Sequence, residues 1–155
     1  MTRVYLSLGS NLEPEKNLRA AMDELRLKFG DVIVSPTYRY PAVGFEGPDF
    51  LNLAAVIDTD LDAAALNDWL HDLENRHGRR RDVPRFSSRT LDVDIVFYGN
   101  AVIDDLQSPR SELKYAFVLQ PMADIAADVS HPVSKRTISE LWRESHESPG
   151  ERGEL

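Results

Sequence analysis

Two aspartates stand two positions apart in RTLDVDIVFYG, residues 89–99, a stretch that otherwise alternates like a buried strand. Leu91, Val93, Ile95 and Phe97 fall on one face; Asp92, Asp94, Val96 and Tyr98 fall on the other, because side chains i and i+2 of a strand point the same way. Neighbouring carboxylates repel, and an apolar setting strengthens the repulsion. A cation is therefore expected to compensate them. Hard oxygen ligands suit Mg²⁺, which is usually held by one or two carboxylates together with phosphates and waters. The pair could hold one ion or bridge two on a polyphosphate, where the metal screens charge and aligns attacking and leaving oxygens. The competing reading is an exposed strand face on which aspartate serves only solubility.

The residues just upstream favour the first reading. Arg79, Arg80, Arg81, Arg85 and Arg89 lie in and beside the loop at residues 79–88, which leads directly into Asp92. Guanidinium forks match phosphate oxygens and also neutralise carboxylates. A solvated, salt-bridged loop or an RNA-contacting patch would look similar, but an acidic pair facing a nucleic-acid strand would repel it. Phe50 and Asn52 share one face of another strand. An aromatic platform beside an amide can hold a flat heterocycle by stacking and edge hydrogen bonds, although phenylalanine on a strand is more often core. Glu74 sits near the C-terminal end of a helix, where the dipole disfavours an acid, so it calls for a partner such as Arg79 or Arg81. His71, His77, His131 and His146 show no ligand spacing and are read as non-metal. LSLGSNL lacks the glycines and the Lys-Ser/Thr pair of a phosphate-binding P-loop.

The elements that position these residues follow from periodicity. Val4, Leu6 and Leu8 predict a strand ending at Gly9-Ser10-Asn11. Pro14 opens a helix striped by Leu18, Met22, Leu25 and Phe29 and closed by Gly30. Residues 32–34 predict a second strand that continues through Tyr38 and Tyr40 beyond a bend at Pro36. Residues 40–49, with two prolines and two glycines, predict a loop longer than a hairpin needs. Residues 50–59 form a third strand, and Asp62 caps a second helix striped by Leu66, Trp69, Leu70 and Leu73 and closed by Gly78. The aspartate strand follows. A short strand is expected at Val102 and Ile103, and helices over 116–127 and 137–142. This order predicts an α+β, ferredoxin-like βαββαβ sandwich with an antiparallel sheet. We expect one domain over residues 1–142 and a polar, frayed tail over 143–155.

Composition narrows the function. With 155 residues and 42% hydrophobic content the chain has a single real core. No apolar run approaches the length of a membrane span, and the N-terminus lacks a signal-peptide layout. Cysteine is absent, which excludes thiol catalysis and thiolate metal sites and fits a cytoplasmic address. A net charge of -8 argues against general affinity for nucleic acid or acidic membranes.

LGSNL, GPDFLNLAA, LENRHGRRR, SSRTLDVDIVFYG and AFVLQPMADIA occur in an order and spacing that resemble the 6-hydroxymethyl-7,8-dihydropterin pyrophosphokinases of folate biosynthesis, from Val4 to about His131. The resemblance implies Mg²⁺-dependent transfer of pyrophosphate from ATP to 6-hydroxymethyl-7,8-dihydropterin, giving AMP. It implies two Mg²⁺ on Asp92 and Asp94, with Asp94 nearer the attacking oxygen, and a catalytic set of Asp92, Asp94, Arg79 and Arg89. ATP would meet His71, Glu74, Arg79, Arg81 and Arg89. Tyr40, Val43, Phe50, Asn52, Asp92 and Phe117 would form the pterin site, with Phe50 and Phe117 clasping the ring. The loops at residues 43–48 and 79–88 would close over the substrates. Phe86 stands where the family often has a lid tryptophan, and Phe50 where tyrosine is common. SPRSELKYAF lacks the family's histidine and its arginine before AF; Arg110 and Lys114 are the replacement phosphate contacts. The expected partners are the two small substrates, with no nucleic acid and no membrane, and the expected state is a monomer. A paralogue acting on a modified pterin, a non-catalytic pterin- or nucleotide-binding protein, and a ferredoxin-like RNA-binding module are the alternatives.

Overall fold

The structure, a computed structural model, describes residues 1–78 and 88–155. Its elements run β1 (Thr2–Ser10), α1 (Pro14–Phe29), β2 (Ile33–Val34), β3 (Thr37–Tyr40), β4 (Phe50–Thr59), α2 (Ala63–Arg76), β5 (Asp92–Tyr98), α3 (Ala116–Ile125), α4 (Ile138–Glu144) and β6 (Glu151–Gly153). The sheet is antiparallel in the order β5-β1-β4-β3-β6, with β2 also paired to β4. The expected βαββαβ arrangement is present, and α3, α4 and β6 are added to it.

The terminal residues of the first two helices act as their types dictate. Pro14 occupies the first turn of α1, and Gly30 closes it at φ 81°, a conformation that favours glycine. The Asp62 side chain accepts from the Ala65 amide at 2.8 Å and caps α2. The bend at Ser35-Pro36 separates β2 from β3, and Ser35 Oγ there accepts the Ala54 amide at 2.8 Å.

The sheet is covered on both faces. Leu6 and Leu8 of β1, Leu53 and Ile57 of β4 and Val93 and Ile95 of β5 pack against the apolar stripes of α1 and α2. Ala54, Val96 and Phe97 pack against α3 and Ile138 of α4. Phe97 thus lies opposite to its expected face. The β1–β5 register pairs Leu6 with Ile95 and Tyr5 with Phe97, so a bulge passes over Val96 and reverses the alternation beyond it.

Two further expectations change. Ile103 makes only an isolated bridge to Ser108, followed by a 3-10 turn at Asp104–Leu106. The tail is not frayed: Glu151–Gly153 pairs with β3 in the register Thr37↔Gly153 and Arg39↔Glu151.

Candidate active site

One row of residues crosses the α3 face of the sheet near one end. Register places Asp92 beside Gly9, Gly9 beside Asn52 and Asn52 beside Tyr38, on β5, β1, β4 and β3 in turn. A Cβ at Gly9 would lie 2.5 Å from Asn52 Nδ2, so a side chain there would displace the Asn52 amide. Asn52 is 5% exposed, and its buried Oδ1 has no hydrogen-bond partner among the described residues. A buried acceptor without a partner is costly, and a ligand donor would satisfy it. A cavity of about 450 Å³ opens over this row. The loop after β3 bounds it on one side; the 107–115 segment and the start of α3 bound it on the other.

Asp92 and Asp94 face the cavity from β5, as the alternation predicts. Burial, and then the Asp92 charge, push the Asp94 carboxyl well above the usual carboxylate range; Arg110 opposes the shift, while Glu74 and Glu112 reinforce it. The Arg110 guanidinium lies 3.4 Å from Asp94 Oδ1, and its buried Nε has no partner among the described residues. The pair therefore presents hard oxygen donors to the cavity, which fits a divalent cation completed by phosphate and water ligands. Among the described residues no cluster of three or more metal-ligating side chains occurs.

The profile of the 7,8-dihydro-6-hydroxymethylpterin-pyrophosphokinase (HPPK) family matches residues 5–127. The chain belongs to this family. Relatives include the 2-amino-4-hydroxy-6-hydroxymethyldihydropteridine pyrophosphokinase of Pseudomonas aeruginosa, 41% identical over 141 residues and covering 84% of each chain. The Haemophilus influenzae protein of the same name is 35% identical over 151 residues, covering 93% of each. Among solved structures the fold is like that of Plasmodium falciparum HPPK-DHPS, with a TM-score of 0.71 at 13% identity over 92% of this chain. The chain spans 41% of the length of that one.

Most residues that the family resemblance singles out meet in the cavity. Tyr40, Val43, Phe50, Asn52 and Phe117 line it, as do Arg89, Asp92, Asp94, Arg110 and Lys114. Two do not line it. His71 is exposed on α2. Glu74 is 2% exposed on the same helix, and its Oε2 accepts the Val93 amide at 2.8 Å. That bond pins β5 between the two aspartates. Arg79, Arg81 and Phe86 lie outside the described residues.

Other residues of the site escaped sequence reasoning. Asn11, buried at the end of β1, joins three chain segments. Its Nδ2 donates to the Pro48 carbonyl at 3.0 Å and to Ser88 Oγ at 3.2 Å, while its Oδ1 accepts the Arg89 amide at 2.8 Å. It fixes the backbone of Arg89 and the end of the loop after β3. Tyr115 stacks on Phe117 with ring centroids 5.4 Å apart and planes 13° from parallel, and Lys114 Nζ lies 5.2 Å from the Tyr115 ring centre. The Tyr40 hydroxyl donates to Gln120 Oε1 and lies 3.1 Å from the Ala116 carbonyl; burial holds its pKa far above the ordinary tyrosine value.

Proposed function

We propose that the protein transfers the pyrophosphoryl group of ATP to the hydroxymethyl oxygen of 6-hydroxymethyl-7,8-dihydropterin. The substrate oxygen bonds to the β-phosphorus of ATP, the bond from that phosphorus to the α,β-bridging oxygen breaks, and AMP leaves with that oxygen. The hydroxyl proton is released. The observation that carries this reading is the placement of Asp92 and Asp94 in one cavity with the unpaired Asn52 acceptor, within a chain of the pyrophosphokinase family.

Asn52 Oδ1 accepts an N–H from the pterin edge, and Phe50 and Phe117 supply apolar ring faces. Backbone groups near Tyr40 and Val43 complete the pterin side. Arg89, Arg110 and Lys114 supply positive charge for the triphosphate, as Arg79 and Arg81 do by their chemistry. Two Mg²⁺, held by Asp92 and Asp94 with phosphate oxygens, would screen the triphosphate and acidify the hydroxyl. Asp94, the aspartate nearer the attacking oxygen in the family's arrangement, would assist removal of the hydroxyl proton when ionised. No helix among the described residues is long and apolar enough to cross a membrane. The reading carries a cytoplasmic address, where ATP is available, and a monomeric state.

The test is AMP release from ATP and Mg²⁺ with and without the hydroxymethyl pterin, together with detection of the pterin diphosphate. AMP and the diphosphate, formed in equal amounts only when both substrates are present, are the expected result. Pterin binding without AMP would leave a binding protein and refute the transfer.

A further inference from the structure

The family match ends at residue 127, yet the last residues of the chain press on the back of the cavity wall. Gly150 lies against Tyr40: a Cβ placed on it would be 2.6 Å from Tyr40 Cε1 and 2.7 Å from the Arg39 carbonyl oxygen. Its amide donates to Gln120 Oε1 at 2.8 Å, the same oxygen that accepts the Tyr40 hydroxyl. One side-chain oxygen therefore ties the tail, β3 and α3 together. A second tie lies at the helix end. Tyr115 provides no side-chain cap for α3, and Glu147 Oε1 accepts the Ala116 amide at 3.4 Å instead. A carboxylate suits that position, where helix amides lack partners and the dipole is positive. Neither Glu147 nor Gly150 lines the active-site cavity. Both hold elements that do: β3 presents Tyr40, and the first turn of α3 presents Phe117.

We propose that the C-terminal segment positions the pterin side of the active site, with Glu147 and Gly150 setting where Tyr40 and Phe117 stand relative to Phe50 and Asn52. The proposal rests on the assignment of that side of the cavity to the pterin. The ties of Glu147 and Gly150 run to α3 and β3, the elements that present Phe117 and Tyr40, so the segment is expected to act on ring binding more than on the phosphate side. A purely structural strand would contribute to stability and leave substrate preference unchanged.

The test uses the full chain with Gly150→Val and, separately, Glu147→Ala, whose truncation at an exposed position is compatible with folding. Pterin affinity is measured by equilibrium binding without ATP, KM for each substrate by AMP release, and folding by thermal melting. Misplacing a ring contact by a fraction of an ångström is expected to weaken pterin binding and raise pterin KM about five- to ten-fold in both variants, with ATP KM changed less than about two-fold. Asn52→Ala serves as the reference for the underlying assignment. If Asn52→Ala weakens pterin binding while Glu147→Ala and every folded Gly150 variant bind it normally, the positioning role is overturned and the assignment stands. If Asn52→Ala also leaves pterin binding unchanged, the pterin assignment itself fails, and the positioning role fails with it.

Discussion

Asp94→Asn is expected to stabilise the metal-free protein while abolishing its chemistry. The cause lies in the surroundings of Asp94. Burial and the neighbouring Asp92 push its carboxyl up to about 8 from an ordinary 3.8. A group whose folded pKa is raised favours folding most below the unfolded pKa, and that contribution is lost as pH rises through the folded pKa. Ionising Asp94 in the fold therefore becomes costly between about pH 4 and pH 8. Fully converted, the displacement would amount to roughly 5–6 kcal/mol at pH 8. The side chain is 36% exposed, however, and solvent screening reduces the cost to about 2 kcal/mol. Asparagine removes the charge and keeps the shape, but it also gives up the Arg110 pair at 3.4 Å, worth up to about 1 kcal/mol. The net gain is about 1–2 kcal/mol, or a rise in Tm of roughly 3–6 °C for a domain of this size. Thermal melts in chelator, at pH 8 and again near pH 4, measure it. The gain should be greatest at pH 8 and nearly gone at pH 4. An equal or lower Tm at pH 8 would refute the argument that ionised Asp94 is costly in the folded protein.

Other perturbations probe separate parts of the structure. Thr137→Ala removes the side-chain half of the capping box at the start of α4, the Glu140 amide to Thr137 Oγ1 bond, and leaves the backbone amide of residue 137 on Glu140 Oε1; a loss of about 1 kcal/mol in urea denaturation is expected, with activity retained. Asn11→Ala leaves the buried Arg89 amide and the Pro48 carbonyl without their partner, and should cost about 2–4 kcal/mol in the same assay. In acid the sign is opposite to that of Asp94. The hydrogen bond from Arg3 holds Asp58 below its usual range, and the Thr137 backbone amide does the same for Glu140. Depressed carboxyls contribute stability above their unfolded pKa and lose it as pH falls through the folded value. A pH series of melts on the metal-free protein should therefore show declines on both sides of a maximum, and Asp94→Asn should remove only the alkaline decline.

Much of this organisation was legible before any coordinates. Strand faces followed from two-residue alternation, and the helix limits at Pro14, Gly30 and Asp62 from the local chemistry of turns and caps. Those signals are local, so a single sequence contains them. The misreadings share a non-local origin. Phe97 sits on the unexpected face because a bulge depends on the partner strand, and β5 alone shows unbroken alternation. Asn11 was read as the end of a strand, since its hydrogen-bond partners lie at residues 48, 88 and 89. The C-terminal strand is built from Glu151, Arg152 and Gly153, residues with no strand signature, and it forms because β3 offers an open edge. Glu74 was recognised as an acid out of place; its expected partners Arg79 and Arg81 lie outside the described residues, and the Val93 amide it also accepts is a contact no charge pattern reveals.

The row formed by Asp92, Gly9, Asn52 and Tyr38 acts as a ruler. Adjacent strands keep a fixed separation of about 4.8 Å, so the acid on β5 and the amide on β4 stand about 10 Å apart at backbone level whatever the loops around them do. A ring anchored by its edge on Asn52 can bring a substituent to Asp92 only if the ring and its first carbon together fit that span. Selection by length is thus built into backbone hydrogen bonding, and swapping side chains in the cavity would alter which ring is gripped without altering how far it reaches. Changing the reach would require moving a strand.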